Sequence, residues 1–335
     1  MKRSILTGLS LVLVAACQDG TSPQSDAPLG QATDARADVG TNAVSHLLAV
    51  VDLNGGLLRG SNVISSTKLG PGQYEVTFNT NVSQCAYVAT TSNAYSQAIQ
   101  VFTAGGHLSP NGVYVETKNQ GGGLTDGPFQ LVTTCGTGGI RYAVVGYADD
   151  LVRATAGTSL TPLGGGRFNI RFAQAVNTCV FIATVADPGN ALVFFPNNVS
   201  TGSGPNANTV YIETKNSGGG LSSGIPFHLA LVCPGIAKTR FAVVRGDGTI
   251  QRGSPGTIGS RLSTGNFNIH TTRSLAACAT VATRGSGGTG VPFTPATVEI
   301  TAGADANSYG AQVRSLLFFG GNLINQAIHT ASVCI

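Results

Sequence analysis

Short runs in which apolar and polar residues alternate cover most of the chain, and they return in the same order three times. In the first copy Leu48–Asp52 leads to a turn at Asn54-Gly55-Gly56 and then to Leu57–Arg59. Tyr74–Phe78, Cys85–Thr90, Val113–Lys118 and Phe129–Cys135 follow. Alternation with a period of two residues marks half-buried strands. No stretch between these runs keeps a helical period for long enough to form the crossover of a βαβ unit. About six or seven short strands per copy, separated by turn residues, predict a small sandwich or barrel.

The repetition fixes the organisation. Tyr142-Ala143-Val144-Val145 and Phe241-Ala242-Val243-Val244 match Leu48-Ala49-Val50-Val51. From Val50, Val144 and Val243 an Arg (Arg59, Arg153, Arg252) lies 9 residues on, and a Cys (Cys85, Cys179, Cys278) lies 35 residues on. A unit that long is a whole small domain. The expectation is all-β: three tandem small β-sandwich domains of immunoglobulin-like architecture, over residues 46–137, 138–236 and 237–335. There is no Trp, so the Cys…Trp…Cys signature of antibody domains is missing. "Immunoglobulin-like" therefore describes the architecture alone. Only 10% of residues are charged and 46 are Gly, which suits strands and tight turns.

Seven cysteines divide into Cys17 and three repeated pairs. The repeat selects Cys85–Cys135, Cys179–Cys233 and Cys278–Cys334, one intradomain bridge per copy. A bridge closing a loop of about 50 residues stabilises by about 4 kcal/mol in the chain-entropy account. Metal ligation fits poorly, because no CxxC or HxxxH spacing accompanies these cysteines. No metal and no cofactor is expected.

The N-terminus has the pattern of a targeting segment. Lys2-Arg3 precede an apolar run from Ile5 to Val14, which is too short to span a bilayer as a helix. Leu13-Val14-Ala15-Ala16-Cys17 resembles the lipobox of bacterial lipoprotein precursors. The resemblance implies a signal peptide over 1–16, acylation of Cys17 and a membrane partner through that anchor. Gln18, where relatives retained at the inner membrane carry Asp, implies the outer membrane in a diderm host. The repeats resemble β-repeats of secreted bacterial proteins, which brings no activity with it. Residues 17–45 hold few large apolar residues and read as the lipidated Cys and a flexible tether. Removing Lys2 and Arg3 leaves 17 basic against 15 acidic residues, a net charge near +2. That is no footprint for nucleic acid.

Candidate chemistry is sparse. His228 and His329 share one repeat position, which holds Gln130 in the first copy. A catalytic role would leave that copy dead, so an outward polar position on the last strand is expected. Arg59, Arg153 and Arg252 fit a structural ion pair or a stem laid over apolar neighbours. Tyr114, Glu116 and Lys118, with Tyr211, Glu213 and Lys215, fall on one strand face. They read either as a sugar- or protein-binding strip, with Tyr114, Glu116, Tyr211 and Glu213 as its contacts, or as a solvated face. In the third copy Arg314 and Leu316-Leu317-Phe318-Phe319 replace that pattern. The loops 91–112, 185–209 and 284–309, the last two carrying Phe194-Phe195 and Val291-Pro292-Phe293, vary most between copies, and loops on rigid scaffolds often carry binding. No nucleophile elbow, zinc motif or phosphate loop is present. These features describe a membrane-anchored, exported, non-enzymatic lipoprotein of the cell envelope that binds or adheres to a protein or glycan. The alternatives are a structural spacer or scaffold and a hydrolase with an unrecognised site.

Overall fold

The computed structural model describes residues 46–92, 98–136, 138–189, 196–289, 296–302, 310–317 and 322–335. The signal segment, Cys17, the tether, Phe194-Phe195, Val291-Pro292-Phe293 and Phe318-Phe319 lie outside them. Among the described residues there are 24 strands and no helix. The first copy holds β1 Leu47–Val51, β2 Leu57–Ser61, β3 Val63–Gly70, β4 Gln73–Phe78, β5 Ala86–Ser92, β6 Gln100–Gly105, β7 Gly112–Lys118 and β8 Phe129–Thr134. The second holds β9 Arg141–Val145, β10 Leu151–Ala154, β11 Ser159–Pro162, β12 Arg167–Arg171, β13 Val180–Asp187, β14 Asn198–Ser203, β15 Thr209–Lys215 and β16 Phe227–Val232. The third holds β17 Thr239–Val244, β18 Ile250–Gly253, β19 Ile258–Ser263, β20 Asn266–His270, β21 Cys278–Thr289, β22 Ala296–Ala302, β23 Gly310–Leu317 and β24 Ile328–Cys334. Each copy thus has eight strands rather than six or seven. β3 was hidden because most of its side chains face solvent, and β6 because it sits inside what reads as one long loop.

Each copy is a sandwich of two four-stranded halves. In the first, the halves run β2-β1-β8-β5 and β3-β4-β7-β6. Ala49, Val51, Tyr87 and Leu131 of one half pack on Tyr74, Val76, Val113 and Val115 of the other. The second copy repeats this with Ala143, Phe181 and Leu229 against Phe168, Ile170 and Val210. Bridges Cys85–Cys135, Cys179–Cys233 and Cys278–Cys334 tie the start of the fifth strand to the end of the eighth in each copy. They place the body in an oxidising, non-cytoplasmic compartment. The Gly that precedes the fourth strand recurs because nothing else fits. Gly72, Gly166 and Gly265 have positive φ, and a Cβ there would lie 2.3–2.5 Å from backbone atoms.

The copies are not beads on a string. β6 pairs in parallel with β13 of the second copy, β14 with β21 of the third, and β22 with β5 of the first. Every eight-stranded sheet is therefore half one copy and half its neighbour, and the third copy closes back onto the first. Residues 43–335 form one compact unit. The closure gives the sheets a second core. Leu48, Val88 and Val132, with Ile182, Val232, Val243, Val281 and Val333, pack around the central axis. This corrects the expectation of half-buried strands: β1, β5 and β8 are buried on both faces over nearly their whole length. Their alternation is between two cores, one within the copy and one shared.

Candidate ligand-binding site

In an antiparallel strand, the backbone groups of successive residues point to opposite edges. β5 spends one edge on β8. On its other edge, Cys85, Tyr87 and Ala89 meet no strand before β22 arrives at Thr91 and Ser92. Buried backbone groups need partners, and here side chains of the next copy supply them, in three layers.

In the first layer Arg153 Nε donates to the Cys85 carbonyl at 3.0 Å, Arg252 to Cys179 at 2.8 Å and Arg59 to Cys278 at 2.6 Å. Arg153 and Arg252 also lie over the Tyr87 and Phe181 rings. In the second layer His228 Nδ1 accepts from the Tyr87 N–H at 2.9 Å and His329 Nδ1 from the Phe181 N–H at 3.1 Å. Gln130 Oε1 does the same for Thr280 at 2.6 Å. In the third layer each threonine hydroxyl serves both backbone groups of an alanine. Thr184 Oγ1 accepts from the Ala89 N–H and donates to its carbonyl. Thr283 does so at Ala183, and Thr90 at Ala282.

The recurring polar residues thus close the ring. The Arg position is structural, through backbone carbonyls and ring faces rather than an ion pair. The His position is not outward: His228, His329 and Gln130 are all fully buried. Imidazole and carboxamide are interchangeable there because each offers one acceptor to one N–H. Burial, followed by the field of Arg252, depresses His329 to a pKa of about 3. Burial and Arg153 depress His228 well below its ordinary value. Both rings are neutral, as an acceptor nitrogen requires.

One step further along the axis the repetition stops. Beyond the threonines lies a cavity of about 80 Å³, lined by residues of all three copies, among them Thr91, Gln100, Val185, Asn198 and Arg284. It holds several waters' worth of space. Thr91, Val185 and Arg284 occupy equivalent positions, six residues after the first Cys. Arg284 is completely buried; its guanidinium donates to Ser200 Oγ at 2.6 Å and Gln326 Oε1 at 3.4 Å. Burial lowers its pKa to about 10, so it is charged at neutral pH. Gln100 Nε2 donates to Asn198 Oδ1 at 3.2 Å. The other two atoms of these amides, Gln100 Oε1 and Asn198 Nδ2, are buried without a hydrogen-bond partner among the described residues. The strands that follow the three variable segments 93–97, 190–195 and 290–295 line this cavity through Gln100 of β6, Asn198 of β14 and Val298 of β22.

The Tyr–Glu–Lys strip is neither a solvated face nor an open one. Tyr114, Glu116 and Lys118 share a face, as alternation predicts, yet all three are buried. Tyr114 donates to Glu116 at 3.0 Å, and Lys118 pairs with Glu116 at 2.7 Å. Lys118 also sits over the Phe102 ring. In the second copy Tyr211 donates to Glu213 at 3.1 Å and Lys215 pairs with Glu213 at 2.9 Å. Burial and Glu213 raise Tyr211 to about 12. Tyr114, Glu116 and Glu213 are buried and Tyr211 is half-buried, so these four candidate contacts form no open strip. Arg284, Gln100 and Asn198 were missed. The available signal was a charge at a strand position that holds Thr and Val in the other copies.

At the opposite pole a wider cleft of about 610 Å³ lies between the Cys233–Thr239 linker and Arg273, with Lys238 and Arg273 exposed. The described chain begins at that pole, where His46 Nε2 lies 3.1 Å from the Ala237 carbonyl oxygen. Among the described residues no three His, Cys, Asp or Glu side chains gather as a ligand set for a metal, and no helix is long and apolar enough to cross a membrane. No protein-family profile, curated protein or solved structure matches the chain.

Proposed function

We propose that the protein is a lipid-anchored envelope protein that binds, without catalysis, at the axial cavity of the ring. One observation carries this reading. The recurring Arg, His/Gln and Thr positions are spent on backbone groups, whereas Arg284, which the other copies do not repeat, lines the axial cavity together with Gln100 and Asn198. Acylation at Cys17 would anchor the body to the membrane through the 17–45 tether. The occupant on this reading is a protein or glycan of the envelope or its surroundings.

Three measurements test it. Mass spectrometry of the mature N-terminus should find Cys17 acylated; an unmodified thiol or a terminus elsewhere removes the anchor. Protease shaving of whole cells distinguishes display at the surface from a periplasmic location. A glycan and protein array probed with the detergent-solubilised full chain should give ligands whose binding changes when 190–195 is exchanged for a Gly/Ser connector. A turnover of any substrate lost on substituting a cavity residue would replace binding by the hydrolase reading. A scaffold is the second reading, favoured by Leu58 and Ile64, which are 63% and 66% exposed on the adjoining edge strands β2 and β3. In-cell crosslinking through β3 would support it.

A further inference from the structure

We infer that the axial cavity is a carboxylate site, in which Arg284 supplies the charge and Asn198 a second donor. The inference rests on the binding reading above and names the chemistry of its ligand.

The three junctions between copies make the argument. Where the first copy meets the second, the buried pair Glu116–Lys118 is balanced, and Val185 takes the position equivalent to Arg284. Where the third meets the first, Glu299 lies directly opposite Arg314 in the sheet, and Thr91 takes that position. Where the second meets the third, Glu213 already pairs with Lys215, and Arg284 adds a second cation. Among the described residues, one carboxylate, Glu213, there faces two almost fully buried cations, Lys215 and Arg284. A buried charge without its opposite is unfavourable and draws an anion. Segments 93–97, 190–195 and 290–295 contain no Asp or Glu. The amide pair points the same way. Whichever way round Gln100 and Asn198 are oriented, one of their N–H₂ groups is left unspent. A guanidinium and an amide N–H at one small cavity match the two oxygens of a carboxylate.

The carboxylate can belong to a free small acid or to an acidic sugar, and the test separates them. The detergent-solubilised full chain is titrated with acetate and with glucuronate, by equilibrium dialysis at constant ionic strength set with chloride. Saturable binding of one carboxylate per chain is expected. Arg284→Val, which installs the side chain of the equivalent Val185, should weaken it by about tenfold or more, the loss of a charge-assisted hydrogen bond. Asn198→Asp, which offers the guanidinium a carboxylate of its own, should do likewise and decides the matter if Arg284→Val does not fold. Tighter glucuronate than acetate identifies an acidic sugar; equal or weaker binding identifies a free acid. Absence of saturable binding, binding unchanged in both variants, or sulfate binding as well as acetate overturns the inference. An array ligand whose binding survives both variants also overturns it, while leaving the loop-borne reading intact.

Discussion

Two adjacent layers on the same axis obey different rules. In the threonine layer three copies present the same side chain to the same backbone groups, and all three hydroxyls are used twice. In the cavity layer, one residue further along the same strands, the equivalent positions read Thr91, Val185 and Arg284. The first layer is what a ring of three similar units needs in order to close, since a head-to-tail interface closes only if each copy makes the same contact. The second is free of that requirement and has diverged in size, polarity and charge. The comparison teaches where to look for function in a repeated fold: in the polar residues that the repeat does not copy.

The comparison can be broken at four points. The largest effect is expected from the bridges. Replacing Cys278 and Cys334 together should cost about 2–5 kcal/mol. Because the third copy shares sheets with both others, denaturation followed by probes in each copy should show one lowered transition for the whole body. A separate early transition of the third copy would mean that the copies are independent domains after all.

Next is the threonine layer. Thr283→Val keeps the shape but leaves the Ala183 N–H and carbonyl unpaired in a buried site. A loss of about 2–4 kcal/mol is expected by chemical denaturation, since each orphaned group costs about 1–3 kcal/mol. Arg284→Val in the cavity layer should cost far less stability than this, because it removes a buried charge rather than a partner of the backbone. Equal losses at the two positions would erase the distinction between the layers.

Third is acid. His228 and His329 are neutral in the fold and have depressed pKa values, about 3 for His329. The unfolded chain takes up these protons first, near pH 6.5. Between pH 6.5 and about 3 the unfolded state therefore binds more protons, and stability falls as the pH falls through that window. The double variant His228→Gln/His329→Gln should show a flatter decline, by denaturation at pH 7 and pH 4. An unchanged slope would mean that the imidazoles are not acceptors in the closed ring.

The smallest effect is expected from His228→Gln at pH 7, less than about 1 kcal/mol, because Gln130 already fills the same role in the first copy. A large loss would show that the imidazole ring packing on Tyr87, rather than its acceptor, holds that layer.

Much of this molecule was legible in the chain itself. Periodicity of two, turn glycines and the recurring Val-to-Arg-to-Cys spacing are local signals, so they specified strands, sandwich copies and the pairing of six cysteines. Local signals also put Tyr114, Glu116 and Lys118 on one face. Only the tertiary structure decided that this face is closed, that His228 points into the ring, and that each copy lends half its strands to a neighbour. These are outcomes of which surfaces meet. Sequence alternation distinguishes the two faces of a strand but does not say whether the second face meets water or a second core. The open edge of β5 is likewise invisible in sequence, because its partners lie 95 and 141 residues away in the next copy. For Arg284 the sequence recorded the charge, and the ring closure supplied the burial that gives it a meaning.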